Sequence, residues 1–282
     1  IMRLNLACVL CVLILILLNG VASGQHVEIM SFNIRYDNPG DDENAWNKRK
    51  AQLLQYLKNE TPDVLCTQEG LDNQIEYMNS GLVNCAYFGV GRNDGGNAGE
   101  FAAVFYDSTR FDLLESGTFW LSPTPNKPSV GWDASLPRIC TYGKLFDKQS
   151  DTAFYLFNVH YDHLGVQAGE ESSKLITERM LEMNPSGNPV VLAGDFNALY
   201  KENPIQLLLP YVDYGRDISR SFQGPEGTIN AFGNAKKEKC IDFIFVSGFH
   251  VMSYRHIKVE YDTGKYLSDH RPVIAKCLFK AK

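Results

Sequence analysis

Two polar residues of types that can do chemistry follow an apolar run in the segment 190–199, VVLAGDFNAL. Asp195 is an acceptor that can take a proton, and Asn197 is an amide that can donate to an oxyanion or orient a neighbour. Because they lie two residues apart, both side chains point the same way on extended backbone. The apolar run predicts a buried strand, and Gly194 allows a sharp turn where that strand stops. A strand followed by an Asx-rich turn gives the same local pattern, so the chemical interpretation depends on how other strands end.

Other predicted strands also end in polar side chains suited to chemistry. These are Asn33, Glu69, His160, Asp242, Asp269 and His270. Apolar strands of an α/β protein bring such groups to one rim of a sheet, where ligands usually bind. Glu69 and Asp269 are hard oxygen donors suited to Mg²⁺ or Mn²⁺, and imidazoles carry protons or donate to phosphate. The residue types therefore predict a divalent-metal site with two imidazoles at this rim.

Motifs of other catalytic classes are absent from the sequence. It contains no GxSxG nucleophile motif, no P-loop and no GxGxxG. After residue 24 it also contains no CxxC or CxxH spacing, so a zinc site is not expected.

The elements that must position these residues are predicted from hydrophobic periodicity and turn residues. Strands are predicted at 27–33, 63–67, 101–106, 111–116, 138–146, 152–160, 190–194, 240–246, 251–258 and 272–279. Helices are predicted at 46–60, 71–79, 170–183 and 204–209. We expect 101–106 and 111–116 to pair around a short turn, and 122–137, with its three prolines, to be a long irregular connection. One α/β domain spanning 25–282, with more than one sheet layer, is the simplest interpretation.

Residues 1–24 have the pattern of a secretory signal peptide, with Arg3 before an apolar run and small residues at the end. The run is short for the roughly 20 apolar residues of a membrane span, so we favour cleavage near Gly24 over an uncleaved anchor. We therefore expect a secreted or periplasmic protein with no membrane span after cleavage.

Composition and charge restrict the partners. The formal net charge is −6, which argues against non-specific nucleic-acid binding, because phosphate neutralisation needs Lys and Arg. We expect a monomer without a stable protein partner. Of the seven cysteines, five follow residue 24, so not all can pair. Cys66, Cys140 and Cys277 lie in apolar runs and are expected in the core.

Six motifs in order resemble those of the endonuclease/exonuclease/phosphatase superfamily. They are SFN at 31–33, QE at 68–69, NVHYDH at 158–163, GDFN at 194–197, IDFIF at 241–245 and SDHRP at 268–272. The match covers nearly all of the chain after residue 24. The loops GRNDGGNAGEF and FWLSPTP also resemble a secreted bacterial subgroup.

The resemblance implies a four-layer α-β-β-α sandwich with two packed mixed sheets. It implies hydrolysis of a phosphate ester assisted by Mg²⁺ or Mn²⁺. Asn33, Glu69 and Asp269 would lie at the metal. Asp195, with Asn197, would orient or deprotonate the attacking water.

The resemblance also implies roles for both histidines and their neighbours. His160 and His270 would hold phosphoryl oxygens or protonate the leaving group. Glu100 would orient His160, and Asp242 would orient His270. Carboxylate partners fix an imidazole's tautomer and favour its charged form. Arg138 matches a position that contacts substrate phosphate, and Asn197 would also bind substrate.

The substrate class is open at this level. The leading expectation is an exported phosphodiesterase, nuclease-like or related, with nucleic acid as one candidate substrate and the cluster Lys236, Lys237 and Lys239 as a local basic patch. A lipid substrate would need an exposed apolar loop, for which 119–121 is the candidate. The alternatives are a phosphomonoesterase acting on sugar, inositol or nucleotide phosphates, and a non-catalytic binding protein that keeps the fold.

Overall fold

The computed structural model describes residues 26–262 and 264–281, so the predicted signal peptide lies outside the described residues. Within them are four α-helices: α1 Trp46–Glu60, α2 Asp72–Gly81, α3 Val166–Met183 and α4 Asn203–Gln206. Short 3₁₀ helices cover Pro39–Asn44 and Ala231–Gly233. None of the helices in these ranges is long and apolar enough to cross a membrane.

Fifteen strands are described in the same ranges. They are β1 His26–Asn33, β2 Val64–Gln68, β3 Cys85–Phe88, β4 Val104–Asp107, β5 Phe111–Trp120, β6 Ile139–Asp147, β7 Thr152–His160, β8 Val190–Asp195, β9 Asp213–Tyr214, β10 Phe222–Gln223, β11 Asp242–Ser247, β12 Phe249–His256, β13 Glu260–Asp262, β14 Lys265–Tyr266 and β15 Val273–Phe279.

These strands form two large mixed sheets and a small hairpin. The seven-stranded sheet has the order β10-β12-β15-β1-β2-β4-β3, and the six-stranded sheet has the order β5-β6-β7-β8-β11-β9. The pairs β1–β2 and β7–β8 are parallel, whereas β1–β15 and β8–β11 are antiparallel. The predicted fold class, two packed mixed sheets with helices outside, is confirmed.

Apolar side chains fill both the space between the sheets and their outer faces. The main core joins residues of both sheets, such as Ile29 with Phe157, and includes Ile176 of α3. A second cluster packs Leu53 and Leu57 of α1 against the outer face of the seven-stranded sheet. Cys66, Cys140 and Cys277 are buried, which confirms their predicted place in the core. The five cysteines of the described part of the chain are free.

The predicted pairing of 101–106 with 111–116 is wrong. β4 pairs with β2 and β3 in one sheet, whereas β5 pairs with β6 in the other. The turn between them carries Arg110, whose Nη2 lies 2.8 Å from Asp147 of β6 and whose Nη1 lies 2.9 Å from Asp63 beside β2. This buried guanidinium therefore links the two sheets where the chain crosses between them.

Helix α3 begins four residues before its predicted start at Glu170. The carboxylate of Asp133 accepts hydrogen bonds from the backbone N–H of Ala168, at 2.6 Å, and of Gln167, at 3.2 Å. Free N–H groups of a first helical turn need such acceptors. Because the acceptor comes from the distant loop 122–137, local sequence gave no sign of it.

Gly194 allows β8 to approach β7 directly before Asp195. Its φ is +147°, and a Cβ at this position would lie 2.1 Å from the carbonyl oxygen of Val159. Only glycine fits a contact this close without moving backbone.

We expect Gly194→Ala to lower the free energy of unfolding by about 3 kcal/mol or more, since it adds both strain and overlap. The matched control is Gly187→Ala, because Gly187 has φ +64° and nothing within 4 Å of a built Cβ. That variant should lose about 1 kcal/mol from backbone strain alone. Urea denaturation measures both, and equal losses would contradict the role assigned to the close approach.

Candidate functional site

Strand register brings the predicted residues to one rim of the sandwich. His160 pairs with Asp195 in the parallel strands β7 and β8, and Asp242 pairs with Asp195 in the antiparallel strands β8 and β11. Asn33 pairs with Gln68 in β1 and β2, so the following residue, Glu69, lies at the same rim. The polar residues predicted at strand ends are therefore neighbours.

Asp195 lies at the centre of this rim. Its Oδ2 is 3.8 Å from Nε2 of His160 and 3.8 Å from Nε2 of His270. The same oxygen accepts a hydrogen bond of 2.9 Å from Asn33, and Oδ1 accepts one of 2.9 Å from the backbone N–H of Asn197. The carboxylate is thus fixed with one oxygen facing both imidazoles.

Asn33 presents its amide nitrogen to the cluster. Its Nδ2 donates to Asp195 at 2.9 Å and to Glu69 at 3.0 Å, while its Oδ1 accepts from the backbone N–H of Arg35 at 3.0 Å. The side chain therefore orients two carboxylates in this structure, and the metal contact predicted for it stays a prediction.

The donors present fit a hard divalent cation. Ligand atoms of Glu69, Asp195 and His270 lie within 4.8 Å of one another. The predicted group was instead Asn33, Glu69 and Asp269, and Asp269 is not one of the close three. Carboxylate oxygens suit Mg²⁺ and Mn²⁺, whereas a sulfur or all-nitrogen set would not.

His270 is held in its charged form. Burial alone would lower its pKa, but the neighbouring carboxylates of Asp242 and Asp195 raise that pKa well above its usual value. Nδ1 lies 2.9 Å from Oδ2 of Asp242, and the orienting role predicted for Asp242 stays a prediction. The Nε2–H is left facing Asp195.

His160 is in the opposite state. Burial and the positive charges of Arg138 and Arg92 lower its pKa well below the usual value, so the ring is neutral. Nη1 of Arg138 lies 3.0 Å from Nε2 of His160. This differs from the expectation that a carboxylate partner keeps each imidazole charged, because the closest charged group here is a guanidinium.

Glu100 lies beside His160 but is engaged elsewhere. Its Oε2 is 3.6 Å from Nδ1 of His160, and both carboxylate oxygens accept hydrogen bonds of 2.7 Å from Arg92. Burial raises the pKa of Glu100 to about 7, and the pairing with Arg92 opposes that rise. The orienting role predicted for Glu100 stays a prediction, and Arg92 was not among the predicted residues.

Arg138 is buried at the site and anchored on its outer side. Its Nε lies 3.3 Å from Asp162, and Nη2 lies 3.1 Å from Nδ1 of His163. Asp162 also accepts hydrogen bonds from the backbone N–H of Leu164 and Gly165 and from the Ser135 hydroxyl. The loop before β6 and the loop before α3 are therefore fixed on one carboxylate.

Sequence reasoning also missed a buried arginine of helix α1. Arg49 of α1 is 1% exposed and donates to the carbonyl oxygens of Ile34 at 2.6 Å, Arg35 at 2.8 Å and Leu267 at 2.8 Å. It thereby ties α1 to the loops that follow β1 and precede Asp269. The available signal was an arginine at helical spacing between Trp46 and Leu53, on the face that packs on the sheet.

A family model described as the Endonuclease/Exonuclease/phosphatase family matches residues 30–270. A solved endonuclease/exonuclease/phosphatase structure from Bacteroides vulgatus is similar at 34% identity and a TM-score of 0.86, covering 90% of this chain and 99% of that one. A mannosyl-6-phosphatase from Bacteroides thetaiotaomicron is similar at 34% identity and a TM-score of 0.85, covering 90% of this chain and 100% of that one.

A viral relative is also similar in sequence. An uncharacterised protein of Acanthamoeba polyphaga mimivirus is 27% identical over 249 residues, which are 81% of this chain and 91% of that protein.

The contacts of Asp162 predict a pH-dependent contribution to stability. Burial opposes its ionisation, but hydrogen bonds from the Gly165 and Leu164 backbone and from Ser135 hold its pKa well below the usual range. A depressed carboxyl pKa stabilises the fold above the unfolded value of about 3.9, and that stability is lost as pH falls. We expect Asp162→Asn to cost about 2 kcal/mol at pH 7 and less below pH 4.

Urea denaturation of both proteins between pH 3 and pH 7 measures this difference. The matched control is Asp213→Asn, because Asp213 is exposed. Its cost should stay within about 0.5 kcal/mol. A cost of Asp162→Asn that does not change with pH would show that its charge is not what the loops depend on.

Proposed function

We propose that this chain, which belongs to the endonuclease/exonuclease/phosphatase family, is a divalent-metal-dependent hydrolase of a phosphomonoester on a sugar or related polyol. The membership confirms the resemblance predicted from the six ordered motifs, and the family's members are phosphoesterases. The observation that carries the proposal is the buried carboxylate of Asp195, whose Oδ2 is fixed 3.8 Å from Nε2 of each of two imidazoles.

Asp195 is suited to take the proton of the attacking water. Burial and the negative charge of Asp242 raise its pKa, while His270 opposes the rise. A carboxylate with a raised pKa is a stronger base than an exposed one. Hydrogen bonds from Asn33 and the Asn197 backbone hold it in one orientation, so a water beside it would be positioned as well as activated.

The two imidazoles are expected to have different roles in the reaction. His270, charged and oriented by Asp242, donates from Nε2 to the phosphoryl oxygens, on which negative charge grows. His160 is neutral and faces the same carboxylate, with Arg138 beside it to bind phosphate. Environments that drive two groups of one type into different protonation states are typical of acid–base sites.

Glu69 would hold the metal ion, with Asp195 close enough to share it. Asp269, which faces the same guanidinium nitrogen of Arg35 as Glu69 does, would be the further carboxylate ligand. Bound Mg²⁺ or Mn²⁺ supplies Lewis-acid stabilisation of the phosphoryl charge.

The substrate class is proposed from similarity and from surface character. The similar structure from Bacteroides thetaiotaomicron is called a mannosyl-6-phosphatase. The net charge of −6 does not favour a polyanionic nucleic acid. The loop 119–121 predicted for a lipid substrate is not exposed, because Phe119, Trp120 and Leu121 are buried. A small phosphate ester needs neither a basic groove nor an apolar surface.

We also propose export and a monomeric state. Export is supported by the charged start, apolar run and small residues of the first 24 positions. The monomer is proposed from the sequence alone. Gel filtration of the chain from residue 25 onward would test it.

We expect hydrolysis to require a divalent ion and Asp195. EDTA should abolish phosphate release, and Mg²⁺ or Mn²⁺ should restore it. Asp195→Asn keeps the shape but removes the base, so kcat should fall about 10²–10⁴-fold. The exposed-site variant Asp213→Asn should keep wild-type kcat and is the control. Turnover that resists chelation, or that persists in Asp195→Asn, would contradict the mechanism.

We expect kcat/KM for p-nitrophenyl phosphate to exceed that for bis(p-nitrophenyl) phosphate by tenfold or more, and a hexose 6-phosphate to release inorganic phosphate. Arg138→Met should reduce kcat/KM for the monoester about 10–100-fold, since a hydrogen bond to a charged group is worth about 1.5–3 kcal/mol. A preference for the diester would instead support the phosphodiesterase predicted from the sequence. No turnover of any ester would favour a non-catalytic binding protein.

A further inference from the structure

Arg35 is placed beside the carboxylate cluster by an unusual backbone conformation. It lies two residues beyond the end of β1 and has φ +57°, in the left-handed region that non-glycine residues seldom adopt. Its N–H donates to Oδ1 of Asn33 at 3.0 Å. Such a conformation costs about 1 kcal/mol or more and persists only where surrounding contacts hold it.

The guanidinium of Arg35 is clamped on its outer side. Nε lies 2.8 Å from Oδ2 of Asp41, and Nη2 lies 2.9 Å from Oδ1 of the same carboxylate. The ring of Tyr36 lies 4.6 Å from the guanidinium carbon. This bidentate pair leaves Nη1 directed at the cluster, since the planar group cannot bend.

Nη1 faces two carboxylates that belong to the candidate metal site. It is 3.9 Å from Oε2 of Glu69 and 4.0 Å from Oδ2 of Asp269. Both distances exceed a hydrogen bond, so Arg35 acts on these groups through its charge. Oε2 of Glu69 instead accepts from the backbone N–H of Tyr36 at 3.1 Å. A metal ion at the same carboxylates would have a fixed positive charge beside it.

We propose that Arg35 is a fixed second cation of the metal site. It shares Glu69 and Asp269 with a single bound divalent ion and weakens the affinity of the site for that ion. Its positive charge also neutralises part of the carboxylate charge that a second ion would need. Asp41 sets the strength of this effect by neutralising part of the guanidinium charge. The inference rests on the proposed metal dependence.

The test is direct titration of the metal-free protein with Mn²⁺, following free Mn²⁺ by electron paramagnetic resonance. The wild type should bind one ion. Arg35→Met removes the charge at similar length, so affinity should rise about tenfold. Arg35→Lys keeps the charge, so affinity should stay within about twofold. Asp41→Asn leaves the guanidinium uncompensated, so affinity should fall several-fold.

The opposite changes in Mn²⁺ affinity expected for Arg35→Met and Asp41→Asn distinguish an effect of charge from a structural effect. If Arg35 and Asp41 only brace the loop, both Arg35→Met and Asp41→Asn break the same contact and both weaken Mn²⁺ binding, which overturns the inference. Asp37→Asn, on the same loop but paired with Asn73, controls for the loss of any nearby negative charge and should change affinity less than Asp41→Asn.

Circular dichroism and the thermal unfolding midpoint establish that each variant is folded. If Arg35→Met does not fold, Asp41→Asn still decides, because unchanged or tighter Mn²⁺ binding there overturns the inference. Two ions bound to the wild type also overturn it. A wild type that binds no Mn²⁺ overturns the proposed metal dependence itself. A wild type that binds Mn²⁺, with variant affinities in an order other than the expected one, overturns only the role of Arg35.

Discussion

The site depends on positive groups that neutralise the negative charge of several buried carboxylates. Burial raises the pKa of Asp195 and of Asp269, so the ionised form of each carboxylate is disfavoured unless a positive group lies nearby. The charged ring of His270 lies 3.8 Å from Asp195, and the guanidinium of Arg35 lies 4.0 Å from Asp269. Buried charges are tolerated only where they are paired and hydrogen-bonded, and a bound cation would complete this balance.

The two histidines show why residue type alone does not define a role. His160 ends strand β7 and His270 precedes strand β15. Nε2 of each ring lies 3.8 Å from the same oxygen of Asp195. Their partners differ: one ring faces Arg138, and the other faces Asp242. Charge state is therefore a property of the tertiary surroundings, which the spacing of residues along the chain does not contain.

The sequence predicted those features whose causes are local. Helix α1 was predicted with its observed bounds, and strand β7 likewise, because periodicity and flanking turn residues mark both. The rim residues were found because each follows or precedes an apolar run. The sheet membership of β5 was not predictable in this way, since Arg110 links Asp147 to Asp63, and both are distant along the chain. The first turn of α3 was not predicted for the same reason, because the acceptor of its N–H groups, Asp133, is also distant along the chain.

The positions of the cluster residues also depend on a side chain outside the sheets. Loops, not strands, carry the chain from Asn33 into Arg35 and from Leu267 toward Asp269, and their carbonyl groups need donors. Arg49 supplies them to both loops from helix α1. A guanidinium offers five donors in a rigid plane, so one side chain can fix two backbone segments relative to each other. The sheets determine which strand ends meet, whereas the spacing of carboxylates within the cluster depends on how this helix holds the loops.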